Sequence, residues 1–178
     1  MNKITETKPQ SGIDRAILGM GVAYAVFLVW AILWKCGMPF VGGGSERAVN
    51  LLPFNGNTRW ELEFNIAVFV PFGFYLAAAK HGLTFIKQIL TTLLVSFAFE
   101  AIQLILAVGR SDVTDLLMNT LGGIVGIAAF YALSKLFGKH ERKAALVICI
   151  LLSLLELYMA VSFIMFGQLY IGGMIIRL

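Results

Sequence analysis

An all-α integral membrane protein of five transmembrane helices, with the N-terminus inside and the C-terminus outside, is the fold that this sequence predicts. Three observations carry the expectation. Of 178 residues, 59% are hydrophobic and 13% charged, against roughly 45–50% and about 25% in soluble domains. The apolar residues come in five long blocks, each near the ~20 residues that span a bilayer. The basic residues are also distributed unevenly between the segments that separate those blocks.

The first block runs from Ala16 to Trp34 and ends on the aromatics Trp30 and Trp34. Its basic leader (Lys3, Lys8, Arg15) resembles that of a signal peptide. Leu33-Trp34-Lys35-Cys36 offers no small-residue cleavage site, so an uncleaved anchor is expected. The second block, Phe64 to Ala79, is short and interrupted by Asn65, Pro71 and Gly73. Pro71 lacks an amide hydrogen and is expected to kink the helix or free a carbonyl. The third, Thr84 to Val108, carries Glu100 and Gln103. The fourth, Asp112 to Phe137, opens on polar residues. The fifth, Ala144 to Phe166, holds Glu156 near its middle. Residues 1–15 form a tail expected in the cytoplasm, and 16–178 form a single polytopic domain.

With the N-terminus inside, nine Lys and Arg fall on inner segments and five on outer ones. That bias sets the orientation. The formal net charge of +4 is therefore an orientation signal. No cluster of basic residues with interleaved aromatics forms a groove-reading face, so nucleic acid is excluded as a partner. Cys36 and Cys149 lie far apart, without CxxC spacing, and are expected to be buried apolar thiols. No HExxH pair or phosphate-cradling glycine loop is present, so neither a metal nor a cofactor is expected.

Ionisable groups inside membrane spans are costly and point to function. Glu100 and Gln103 share a face of helix three. Asp112, Asp115 and Asn119 form a stripe at the start of helix four, which Gly122, Gly123 and Gly126 continue inward. Gly122 and Gly126 make a small-xxx-small pair that admits a second helix backbone closely. The connection Gly109-Arg110-Ser111 is short enough to bring Arg110 within reach of Glu100, Asp112 and Asp115. Asp112 serves equally well as an N-cap of helix four, and Arg110 as a structural clasp. The density of polar residues from Glu100 to Asn119 nevertheless exceeds what capping requires. On the expected topology all of them lie at the outer face, together with Glu61, Glu63 and Asn65 of helix two.

The segment Asn50-Leu51-Leu52-Pro53-Phe54, with Asn65 and Phe69-Val70-Pro71-Phe72-Gly73, resembles the first motif of the VanZ-like family. Glu100-x-x-Gln103, Arg110, Asp112-x-x-Asp115-x-x-x-Asn119-x-x-Gly122 is similar to that family's second motif. The resemblance covers about residues 50–137. It implies a small polytopic protein of the bacterial cytoplasmic membrane, associated with resistance to the acylated glycopeptide teicoplanin. It implies no particular reaction.

Two functions are expected from these residues. The first is a binding protein whose outer-leaflet pocket engages a membrane lipid, a lipid-linked cell-wall precursor or a lipoglycopeptide. Asn65, Glu100, Gln103, Arg110, Asp112, Asp115 and Asn119 would hold the polar head, Phe69 and Phe72 would flank the tail, and Pro71, Gly73, Gly122 and Gly126 would shape the scaffold. The alternative is a membrane-embedded enzyme on a lipid-linked substrate, with Glu100, Asp112 and Asp115 as acid and base, or as Mg²⁺ ligands together with Asn119. A transporter is disfavoured by the lack of an internal repeat.

Overall fold

An apolar solvent leaves a backbone no partner but itself, so long apolar blocks become helices. In the computed structural model, which describes residues 12–33, 48–79, 83–106, 110–166, 169–171 and 174–176, they form α1 (Gly12–Leu33), α2 (Arg59–Ala79), α3 (Phe85–Leu106), α4 (Val113–Phe137) and α5 (Glu141–Phe166). Two short ladders accompany them. β1 (Ala48–Asn50) pairs in parallel with β2 (Arg110–Asp112), and β3 (Leu169–Ile171) pairs antiparallel with β4 (Met174–Ile176).

Among the described residues, four stretches are long and apolar enough to cross a membrane: Gly12–Leu33, Arg59–Ala79, Phe85–Leu106 and Val113–Met165. The last takes in both α4 and α5, because only a 3₁₀ turn, Gly138–His140, separates them. Gly138 adopts φ +47° there, and its amide donates to the Ser134 carbonyl. The Ser134 hydroxyl donates across the turn to Glu141.

Three helix starts depart from the sequence expectation by three residues or more, among them α5, which begins at Glu141 rather than Ala144. α1 begins at Gly12, inside the expected N-terminal tail. α2 begins at Arg59, five residues before Phe64. The cause at α2 is a capping box: the Thr58 amide donates to Glu61 Oε2 at 2.7 Å and the Glu61 amide to Thr58 Oγ1 at 3.2 Å. α2 also continues as one uninterrupted helix through Pro71.

Contacts at both ends show that helix direction alternates along the chain. Asp14 of α1, Ala78 of α2 and Arg142 of α5 meet at one end. Ile32 of α1 meets Gln103 of α3 at the other, where Asp112 also meets Glu100. Arg142 Nη1 donates to the Ala78 carbonyl at 2.9 Å, and Nη2 pairs with Asp14. The two side chains are 22% and 23% exposed, so the pair lies between a weak surface bridge and a strongly held buried one. Arg142→Ala is expected to lower unfolding stability in detergent by about 2 kcal/mol, whereas Arg59→Ala, which removes the exposed pair with Glu63, leaves the melting temperature nearly unchanged.

α2 and α4 make the closest contact of the bundle. A Cβ on Gly73 would collide with the Gly123 carbonyl, one on Gly122 with the Ile66 carbonyl, and one on Gly126 with the Val70 carbonyl. Small residues are what let two helix backbones approach this far. Aromatic pairs fill the space beside them: Phe69 packs edge-on to Phe99 at 6.3 Å and Phe74 to Phe130 at 5.7 Å.

α3 reverses the polarity of a soluble helix. Its buried residues are Gln88, Thr92, Ser96, Phe99, Glu100 and Gln103, while Leu94 stands 66% exposed. On α1 and α5, Val26 at 67% and Ile164 at 73% face outward in the same way. An apolar exterior around a partly polar interior suits lipid rather than water as the surrounding solvent.

Candidate functional site

Asp112 organises one end of the bundle. Its extended conformation (φ −133°, ψ 123°) makes it the N-cap of α4, with Oδ1 accepting the Thr114 amide at 2.8 Å. Oδ2 accepts the side-chain amides of Asn50 at 2.9 Å and Asn57 at 3.1 Å. The Asp112 backbone amide donates to Glu100 Oε2 at 2.7 Å. The parallel register of β1 on β2 sets Asn50 opposite Asp112, and the Phe54 amide donates to Thr114 Oγ1 at 2.9 Å. The 50–57 loop is thereby fastened over the start of α4. Burial pushes the Asp112 carboxyl up, but donors from Asn50, Thr114 and Asn57 outweigh it and hold the group below the ordinary aspartate value.

Behind this cap lies a cavity of about 180 Å³. Ala31 and Ile32 of α1 line it, with Thr58, Trp60, Glu61, Phe64 and Asn65 at the start of α2, Glu100 and Gln103 of α3, and Asp115 and Asn119 of α4. Two of the polar residues are partly fixed. Gln103 Nε2 donates to the Ile32 carbonyl at 3.0 Å, and Asn119 Nδ2 to Ser96 Oγ at 3.0 Å. The opposite atoms of those amides, Gln103 Oε1 and Asn119 Oδ1, are buried without a hydrogen-bond partner among the described residues, as is Trp60 Nε1. Leaving such an atom unsatisfied costs about 1–3 kcal/mol. The three residues that carry these atoms all line the same small cavity.

Of the residues singled out from the sequence, Asn65, Glu100, Gln103, Asp115 and Asn119 line this cavity. Asp112 stands behind its wall, engaged in the cap. The backbone of Arg110 belongs to β2, and its side chain lies outside the described residues. Gly73, Gly122 and Gly126 are spent on the α2–α4 contact. Pro71 lines a different cleft. Phe69 and Phe72 do not border the cavity: Phe69 is fully buried in the core, 5.6 Å from the Phe72 ring. Cys149 is a buried free thiol, and Cys36 lies outside the described residues.

Sequence reasoning missed Trp60 and Thr58 in the cavity wall and Asn57 as a partner of Asp112. The Thr58-x-x-Glu61 capping box was a readable signal for the first two. The i, i+4 series Gln88, Thr92, Ser96, Glu100 was a readable signal that the polar face of α3 extends well below Glu100. Ser96 is engaged by Asn119, whose Nδ2 donates to its Oγ at 3.0 Å. Among the described residues, no three His, Cys, Asp or Glu come together as metal ligands.

A bundle with apolar stretches long enough to cross a bilayer, an apolar exterior and a partly polar cavity at one end is the architecture of a helical membrane protein. Residues 21–137 match the family model described as VanZ/LLP1. The chain is also 36% identical over 132 residues to "Protein VanZ" of Enterococcus faecium, an overlap covering 72% of this chain and 79% of that protein. No solved structure matches it. The chain belongs to the VanZ/LLP1 family. The match begins well before residue 50 and takes in most of α1, two of whose residues, Ala31 and Ile32, border the cavity. It stops at the end of α4 and leaves α5 outside.

Proposed function

We propose that this protein is a five-span, N-in/C-out protein of the bacterial cytoplasmic membrane whose outer-face cavity binds the polar part of a lipid-like ligand. That ligand is a lipoglycopeptide or a lipid-linked cell-envelope precursor, and its capture contributes to teicoplanin resistance. One observation carries the reading: Trp60, Gln103 and Asn119, each with a buried polar atom that has no hydrogen-bond partner among the described residues, line one cavity. A hydroxyl- and amide-rich head group would satisfy all three. The alternating helix directions support five crossings, and the excess of basic residues on the Asp14–Arg142 end supports placing the cavity outside.

The enzymatic alternative needs carboxylates at liberty to exchange protons. Asp112 is engaged by three donors, and Glu100 holds the Asp112 amide, so neither of these two is at liberty to do so. Binding is therefore the better supported reading.

The test is the teicoplanin susceptibility of cells carrying Gln103→Leu, Asn119→Leu or the double variant at matched membrane abundance. Each side chain removed is expected to weaken capture by about tenfold, the equivalent of ~1.4 kcal/mol, and the double variant is expected to abolish the resistance conferred. Resistance unchanged in the double variant sinks the pocket. A change in the mass of wall precursors that disappears in Asp115→Asn would favour the enzyme.

A further inference from the structure

A second cavity, of about 270 Å³, lies on the far side of Trp60 and Phe64, between α1, α2 and α5. It runs from Trp60 to Pro71 along α2, about 16 Å at the helical rise. Tyr24, Phe27, Trp60 and Phe64 give it aromatic faces, and Leu, Met, Ala and Val fill most of the remaining wall. Among the described residues, two carboxyl groups interrupt the apolar lining, the exposed Glu63 and Glu156 midway along α5, and no Lys, Arg or His lines it. Glu63 already has a cation, since Arg59 Nε lies 2.7 Å from its Oε1. Glu156 makes no hydrogen bond and no ion pair with any described residue.

An ionisable group inside a membrane-spanning helix is retained at a free-energy cost, and it marks a binding or transport site. A plain acyl chain would fill this cleft and leave Glu156 unmatched. An anion would be repelled. A cation carried on an apolar body satisfies every part of the wall: the carboxylate is its counter-charge, the aromatic faces attract it through their quadrupoles, and the aliphatic side chains cover its body. We propose that the cleft between α1, α2 and α5 binds a lipophilic cation, an ammonium or phosphonium with apolar substituents, with Glu156 as its counter-ion. Glu156 and the α5 wall of the cleft lie beyond the family match at residues 21–137, whereas its α1 and α2 walls lie within it. The cleft shares only the Trp60–Phe64 wall with the polar cavity and does not depend on what that cavity binds.

The experiment uses the full chain in phosphatidylcholine nanodiscs and measures equilibrium binding of tetraphenylphosphonium and tetraphenylborate, ions of nearly equal size and opposite charge. The phosphonium is expected to bind saturably and the borate to show only the partitioning seen with empty nanodiscs. Glu156→Gln is expected to weaken phosphonium binding at least tenfold, and Phe27→Leu, which removes one aromatic face, severalfold. Saturable binding of both ions to the unmodified chain would show an apolar pocket indifferent to charge and overturn the proposal. So would a phosphonium affinity that Glu156→Gln leaves intact. The comparison of the two ions needs no variant, so a failure of Glu156→Gln to fold does not remove the test.

Discussion

Asp112→Ala is expected to lower the unfolding free energy in detergent by about 3 kcal/mol. The lost N-cap accounts for roughly 1 kcal/mol of this, and the charge-assisted bonds from Asn50 and Asn57 for most of the rest. Those two amides lose their acceptor together, so the 50–57 loop is released from its side-chain anchor at Asp112 in one step and is left on the Phe54–Thr114 bond and the β1–β2 ladder. Thermal unfolding followed by circular dichroism would measure the loss, and proteolysis within 50–57 would report the released loop. Asp112→Asn keeps part of the cap and separates charge from shape. The folded state holds the Asp112 carboxyl below its ordinary value of 3.8, so it binds fewer protons at that site than the unfolded chain. The stability that this charge contributes is complete above the ordinary aspartate range and is lost as pH falls through the lowered value. Asp112→Asn should therefore flatten the acid limb of the stability profile. An unchanged limb would show that the charge is not what the three donors recognise.

Gly126→Leu is expected to be the more damaging substitution. A side chain there meets the Val70 carbonyl and the Phe74 amide, which are backbone atoms of an adjoining helix and cannot rotate away. Overpacking against movable side chains already costs about 1–3 kcal/mol. Against backbone, the two helices must separate, and with them Gly73 from Gly123 and Gly122 from Ile66. The expected result is loss of monodisperse protein on size exclusion, and Gly126→Ala should retain a measurable folded fraction. A Gly126→Leu protein with wild-type melting behaviour would mean that α2 and α4 are not in contact here. Gly19 is the contrasting position, since a Cβ there meets nothing within 4 Å, and Gly19→Ala should be tolerated.

What the sequence made legible followed from local periodicity. Long apolar blocks became helices, and the spacing of Glu100, Gln103, Asp115 and Asn119 placed them on facing stripes because the helical repeat alone decides that. The Gly122–Gly126 pair announced a close helix neighbour but not that α2 would be the one. Pro71 lies inside α2, which stays one helix through it, as a membrane helix with neighbours on several sides allows. Near it the Tyr24 hydroxyl donates to the Val68 carbonyl at 2.6 Å, a contact no local pattern announces. The partners of Asp112 were illegible for the same reason: Asn50 and Asn57 lie 62 and 55 residues away. Glu156 was conspicuous in the sequence as a lone charge, but the aromatic surroundings that give it meaning come from two other helices, α1 and α2.

The pairing of β1 with β2 has a consequence for how the protein is made. Asn50 precedes α2 and Asp112 follows α3, so both helices lie within the loop that this pairing closes. As the ribosome delivers the chain from its N-terminus, α1, α2 and α3 emerge before the residue that fastens the 50–57 loop exists. At roughly 5–20 residues per second, several seconds separate the synthesis of Asn50 from that of Asp112. The cavity is therefore completed late in biogenesis, by the arrival of α4 and its cap, and a nascent chain arrested before Asp112 would hold inserted helices with no means of closing the site between them.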